Sequence, residues 1–252
     1  MKKVIITGGE GKLAKEIVKA NTTHFGEYVV LTPSKIEMNL TSLDSVMSYI
    51  SKHSPDIVIH AGAYTRPMKK HQDNPDVSIQ TNIVGTSNVV LACIKANCKL
   101  VYISTDYVYP GVDGNYNESS PLSPYEGNND GITKYGWSKL GGECAVRMYD
   151  NSLILRTCIC DNPFPHDKAA VDVRKSFMFN NEAAKVILGL LEENGVINVG
   201  GEGRSVYDFV STFNPKVEKL ERANIPDVKI APDTTMDITR MKNILGNNIG
   251  SL

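Results

Sequence analysis

An imbalance of charge is absent: 27 basic residues stand against 28 acidic ones, for a formal net charge of −1 at pH 7. Such a surface has no field for gripping nucleic acid or an anionic membrane. No apolar run approaches the ~20 residues of a bilayer span, and no charged, apolar leader precedes the first strand-like run, so neither a membrane segment nor a signal peptide is expected. Cysteine is sparse and odd in number. Cys93, Cys98, Cys144, Cys158 and Cys160 are scattered through apolar segments, which predicts free, buried thiols in a reducing cytoplasm, not a disulfide framework. Cys158 and Cys160 have no second Cys/His pair at ligand spacing, so no metal site is expected. Repeats and low-complexity tracts are also missing. A chain of 252 residues with 41% hydrophobic content can bury one substantial core.

What is present is an alternation. Strand-like runs lie at residues 3–7, 28–31, 57–60, 100–105, 153–156 and 196–199. Helical spacing fills 12–21, 42–53, 75–96, 133–149 and 180–193, the second of these opened by Thr41 with Asp44 three residues on, as a capping box. This rhythm predicts an α/β fold, a doubly wound parallel sheet of the Rossmann type in the order 3-2-1-4-5-6. Residues 1–157 read as a dinucleotide-binding domain with a catalytic helix. Residues 158–252 read as a small C-terminal substrate lobe that also returns sheet elements. Residues 109–130, rich in Gly, Pro, Asn and Ser, read as a functional loop, and 158–175 and 215 onward show no clean strand.

Two signals carry chemistry. The first is TGGEGKLA, where Gly8, Gly9 and Gly11 follow the apolar Val4-Ile5-Ile6 and precede Leu13, Ile17 and Val18 at helical spacing. A strand turning tightly into a helix needs glycine where a phosphate approaches the backbone, and the helix start offers free N–H groups to it. Gly8, Gly11, Lys12 and Leu13 are therefore candidate dinucleotide contacts. The second strand ends on Thr32, Ser34 and Lys35, with no acid before Glu37. Two hydroxyls and a cation suit a 2′-phosphate, so NADP(H) is favoured, with NAD(H) as the second candidate. The second signal is YGWSK, in which Tyr135 and Lys139 share a helix face some thirty residues after a strand ending in Thr105. An ammonium beside a phenol lowers its pKa toward the working range and suits proton transfer to a carbonyl, with the Thr105 hydroxyl holding the carbonyl oxygen. His60 reads as a packed strand-end residue; for Arg66, Pro67 and Met68 the alternative to a substrate contact is a solvated basic stretch shared with Lys69, Lys70 and His71.

The chain resembles the extended short-chain dehydrogenase/reductases, and most closely the dTDP-4-dehydrorhamnose reductase family. TGGEGKLAKE, EMNLTS, HAGAYT, STDYVYPG, YGWSKLGGE, LILRT, FMFNNEAAKVILGLLE, INVGG and DTTMDITRMKNILG follow in the family's order. The resemblance implies a catalytic triad of Thr105, Tyr135 and Lys139. It also implies cofactor contacts from Asn39 and Leu40 beside the adenine, from Ala61, Gly62, Ala63 and Tyr64, and from Ser104, Tyr135 and Lys139. Substrate contacts are implied for Thr105, Asp106, Tyr107 and Tyr135. Tyr107 stands where the dehydratases of this superfamily carry Glu, which points to reduction of a nucleotide-linked 4-keto-6-deoxysugar. Departures fall where substrate identity should be written: Arg66-Pro67-Met68 after AYT, Ile159 in place of an aromatic residue, and a short 161–175 segment. Arg66 is a candidate for the sugar's diphosphate, since its planar fork pairs with phosphate. The resemblance also admits another sugar-nucleotide epimerase or reductase, or a regulatory NADP-binding protein like the methionine adenosyltransferase β-subunit. The partners it implies are a nucleotide-sugar and a second copy in a homodimer.

Overall fold

The computed structural model describes residues 1–126, 131–226 and 229–246. In chain order the first half consists of β1 (Lys2–Thr7), α1 (Lys12–Ala20), β2 (Tyr28–Leu31), α2 (Leu43–His53), β3 (Ile57–His60), α3 (Lys69–Asp73) and α4 (Pro75–Ser78). A π-helical turn (Ile79–Val84) joins α4 to α5 (Gly85–Ala96), before β4 (Lys99–Thr105), α6 (Gly131–Val146) and β5 (Ser152–Thr157). The remainder holds β6 (Ile159–Cys160), β7 (Lys168–Ala170), β8 (Arg174–Lys175), β9 (Met178–Phe179), α7 (Asn180–Gly189) and β10 (Gly195–Val199). It ends with β11 (Arg204–Ser205), α8 (Val206–Ser211), β12 (Glu218–Leu220) and α9 (Thr239–Leu245).

The six strands read from sequence form one parallel sheet, in the order β2-β1-β3-β4-β5-β10. This corrects the expected 3-2-1-4-5-6 order. After β2 the chain makes only turns over residues 34–41, and α2 then carries it past β1 to lay β3 on that strand's other side. Strand alternation divides the core accordingly. Val4 and Ile6 of β1 pack with Ala14 and Ile17 of α1 and with α7, whereas Ile5 packs with Val46 and Ile50 of α2 and Val89 of α5. The chain leaves β1 toward one face and β3 toward the other, so their carboxyl ends open a crevice, the place where such sheets bind ligands.

Local chemistry explains three further departures. Ser42, not Thr41, caps α2, accepting from the Ser45 N–H at 3.3 Å, because the Thr41 hydroxyl is drawn to Asn39 Oδ1 at 3.0 Å. The helix over Pro75–Ala96 is interrupted by its π-helical turn; by length and composition it is apolar enough to cross a membrane, with mean hydropathy 1.4, yet it is half buried and packs on α2 and α6. The segments expected to lack strands hold short pairs, β6 with β9, β7 with β12 and β8 with β11, too brief to show a period in sequence. Cys160, Ala169, Ala170, Val173, Val206, Phe209, Val210 and Val217 form a separate small core beneath them. All five cysteines are free; Cys144 is exposed, contrary to the expectation of burial, because it lies on the outer face of α6. Residues 127–130 of the expected 109–130 loop lie outside the described residues.

Candidate active site

The glycine turn sits at the mouth of the β1/β3 crevice. Gly8 is left-handed, at φ +69°, and a Cβ added there would come within 2.7 Å of the Gly62 Cα. A Cβ at Gly9 would meet the Thr32 side chain at 2.6 Å. Glycine is thus required both by conformation and by the close approach of the two loops. The Gly11 N–H closes the turn on the Gly8 carbonyl at 2.8 Å, and Gly11 starts α1 without a side-chain cap. The first N–H groups of a nine-residue helix therefore face the crevice, as an anion site needs. Across it stand Ala61, Gly62, Ala63 and Tyr64, with Leu40 packed over Gly62. Thr32 and Lys35 are exposed beside the turn, and Ser34 donates both its N–H and its hydroxyl to Glu37 at 2.8 Å. Asn39 holds its own turn through Thr41.

Tyr135 and Lys139 project from α6 beside the end of β4. Gly136 lets the helix lie close: a Cβ there would come within 2.6 Å of the Tyr107 carbonyl. Tyr135 and Lys139 are both buried, at 8% and 2% exposure. Burial holds the phenol above its ordinary value; the charge of Asp106 and Tyr107 add to this, and the nearby Thr105 hydroxyl and Arg66 oppose it. The direction is opposite to the one expected from Lys139. That ammonium rests on the Tyr102 ring at 4.1 Å and is itself pushed down to about 7 by burial, against the pull of Glu143.

The neighbours of Thr105 are tied inward. Thr105 donates to Asp106 Oδ1 at 3.2 Å, while Oδ2 of Asp106 accepts from Lys175 at 2.8 Å and from the Thr234 hydroxyl at 2.5 Å. The Lys175 ammonium lies 3.9 Å over the Tyr107 ring, which meets Tyr135 edge-on at 6.1 Å. Asp106, a candidate substrate contact, is buried in a link between β4 and the C-terminal lobe. Ser104, a candidate cofactor contact, turns its hydroxyl to Glu143 at 2.6 Å. Arg66 reaches Asp161 at 2.9 Å on the crevice rim.

A chain of hydrogen bonds that sequence did not reveal runs from the glycine turn to α6. Gly62 N–H donates to Thr7 Oγ1 at 2.9 Å, so Thr7 donates to His60 Nδ1 at 2.7 Å. His60 Nε2 then donates to Thr86 Oγ1 at 3.0 Å, and Thr86 to the Asn82 carbonyl at 2.7 Å. This network assigns the neutral Nε2–H tautomer. The Asn82 amide bridges the Tyr64 backbone and the Ser138 hydroxyl, which donates to the Tyr135 carbonyl. Asn82 lies in the π-helical turn, a common device at functional sites; in sequence nothing sets it apart from Gln80 and Asn88, the other amides of the same apolar stretch. His71 corrects the reading of a solvated basic stretch. It is fully buried, accepts from Ser78 at 2.8 Å, donates to the Thr65 carbonyl, and packs on Tyr135 with ring centres 5.1 Å apart.

Two of these groups contribute to the pH response of folding. His60 is pushed down to about 3, by burial first and then by Lys139, from an unperturbed value near 6.5. Its contribution is fully present above about pH 6.5 and is lost as pH falls toward 3. Lys139 is depressed from 10.5 to about 7, so between those values the unfolded chain binds the extra proton and stability rises with pH. Thermal melts of the cofactor-free protein from pH 7 to 9 are expected to rise relative to Lys139→Met. Parallel curves for the two proteins would refute a depressed lysine.

Comparison with known proteins places this geometry. The family model described as the RmlD substrate binding domain matches residues 1–162. The chain belongs to that family. A dTDP-4-dehydrorhamnose reductase from Aggregatibacter actinomycetemcomitans is 31% identical over 159 residues, 62% of this chain and 51% of the relative. Methionine adenosyltransferase 2 subunit beta from Rattus norvegicus is 30% identical over 150 residues, 58% of this chain and 42% of the relative. The chain thus spans about half the length of the curated relatives it matches. A structure of a dTDP-4-dehydrorhamnose reductase from Bacillus anthracis in complex with NADP superposes with a TM-score of 0.81 at 23% identity, covering 97% of this chain and 92% of the other. That likeness extends the shared fold past residue 162 into the lobe.

Proposed function

We propose that this protein is an NADP(H)-dependent reductase of a nucleotide-linked 4-keto-6-deoxysugar. The observation that carries the reading is the convergence of a buried Tyr135, set beside the Thr105 that ends β4, with a glycine turn at which Gly8 and Gly62 let the β1 and β3 loops meet closely. The turn suits a dinucleotide: glycine at positions 8 and 62 lets the two loops approach with no side chain between them, and the first turn of α1 leaves N–H groups free for the diphosphate. A bound reduced nicotinamide supplies hydride to the carbonyl carbon. Tyr135, kept protonated at neutral pH by burial, supplies the proton to the carbonyl oxygen, and Thr105 orients that oxygen. Lys139 holds the nicotinamide ribose. Tyr107 lines the substrate side, and no carboxylate occupies its position to drive an elimination. Asp106 serves substrate indirectly, by fixing Thr105 between β4 and the lobe.

A panel of nucleotide-sugars with NADPH oxidation as readout tests the reading; redox-neutral interconversion of a sugar would instead mark an epimerase. The rat β-subunit relative, at nearly the same identity as the reductase, supports a second reading as a dinucleotide-binding regulatory protein. NADPH binding without turnover of any sugar would select it.

NADP(H) is favoured because the one acid near the end of β2, Glu37, is folded onto Ser34 and leaves Lys35 and Thr32 facing solvent. NADPH is expected to bind more tightly than NADH, and Lys35→Glu to weaken NADPH about tenfold while sparing NADH. Tighter binding of NADH by the unmodified protein would reverse the assignment. Exposed Leu91 and Ile94 on α5 and Trp137 on the adjoining α6 support a homodimer, to be read by light scattering. Free cysteines are consistent with a cytoplasmic setting.

A further inference from the structure

Three elements meet over the mouth of the crevice. Lys12, the first residue of α1, and Arg66, beyond β3, each place a nitrogen 2.9 Å from the same oxygen, Oδ2 of Asp161. Asn180, at the start of α7, holds the other oxygen at 3.0 Å. The carboxylate is enclosed and the cations are open to solvent: the Asp161 side chain is 14% exposed, against 75% for Lys12 and 58% for Arg66. One carboxylate neutralises only one of the two cations, and the free N–H groups of the α1 first turn add further positive potential at the same place. The arrangement carries a surplus of one positive charge and suits a dianion better than the monoanion it holds.

We propose that Lys12 and Arg66 form a single diphosphate seat for the dinucleotide, and that Asp161 is an internal anion competing for it. This rests on the reading of the crevice as a dinucleotide site, and it moves Arg66 from the sugar's diphosphate to the cofactor's. Lys12 belongs to the helix that starts at the glycine turn, so a cation sharing its carboxylate faces the same phosphates. Asp161 then does two things. It keeps the two cations aligned across the cleft in the free protein, and it lowers affinity by the cost of its own displacement. Exposed ion pairs of this kind are individually weak, so the exchange for a dianion contacted by both cations and the helix N–H groups runs toward the ligand.

Calorimetric titration of the full chain with NADPH, and separately with inorganic pyrophosphate, tests this on Asp161→Asn, Arg66→Ala and Lys12→Ala, with thermal melts to verify folding. Asp161→Asn keeps an acceptor for Asn180 while freeing both cations, and is expected to tighten both ligands at least threefold. Arg66→Ala and Lys12→Ala are expected to weaken both about tenfold. Equal or weaker NADPH binding by Asp161→Asn, or unchanged NADPH binding by Arg66→Ala, would overturn the proposal. If NADPH fails to bind the unmodified protein but pyrophosphate follows the expected order, the seat stands and the dinucleotide reading falls. Pyrophosphate indifferent to all three substitutions removes the seat itself.

Discussion

Tyr135→Phe is expected to abolish most turnover, by roughly 10²–10⁴-fold, while leaving dinucleotide affinity nearly unchanged. The phenol is buried beside Thr105, and in the proposed reaction its proton is the one the carbonyl oxygen receives. Phenylalanine keeps the ring and therefore its packing on His71 and Tyr107. Only the hydroxyl is lost. Lys139→Met should behave differently and impair both turnover and binding, since the ammonium faces the nicotinamide ribose in the proposed complex. Stopped-flow NADPH oxidation and fluorescence titration separate the two effects. Near-normal turnover by Tyr135→Phe would remove the central assignment, and normal binding by Lys139→Met would remove the lysine's second role.

The sign of the phenol's shift bears on that expectation. Sequence spacing puts Lys139 one turn from Tyr135, and from spacing alone the ammonium should stabilise a phenolate. The fold instead buries both groups and lays the ammonium on Tyr102, so burial dominates and the phenol stays protonated. For a proton donor in a reduction that is the required state at neutral pH.

How far the sequence reached depends on the range of each interaction. All six sheet strands were legible because each is a short apolar run bounded by turns, and both faces of the sheet are covered. Their order was not, because it depends on which way α2 crosses, and a four-residue β2 followed by turns encodes no direction. Gly8, Gly11, Thr105, Tyr135 and Lys139 could be named from local motifs. Asn82 and His71 could not: each acquires meaning only from partners on other elements, Ser138 on α6 for one and Tyr135 for the other. Lys175 and Thr234, from strands and turns too short for a pattern, were hidden for the same reason.

The largest effect on folding is expected from Arg156. It pairs with Glu143 at 3.0 Å with both side chains at 0% exposure, ties α6 to β5, and also donates to the Tyr109 hydroxyl at 2.9 Å and the Glu118 carbonyl at 3.1 Å. Glu143 in turn accepts from Ser104, the neighbour of Thr105. Arg156→Met leaves a carboxylate buried without its counter-charge, which typically costs about 3–5 kcal/mol. That is a large share of a stability of roughly 5–15 kcal/mol, so the variant should melt far below the parent. Adding Glu143→Met removes the stranded charge, and part of the loss should return. Recovery should fall short by about 1–3 kcal/mol, because the Ser104 hydroxyl then has no acceptor. Urea titrations of the two single variants and the double variant measure this coupling. A double variant no more stable than Arg156→Met would mean that the pair contributes through packing alone and that the buried charge is not what holds α6, and with it Tyr135, against the sheet.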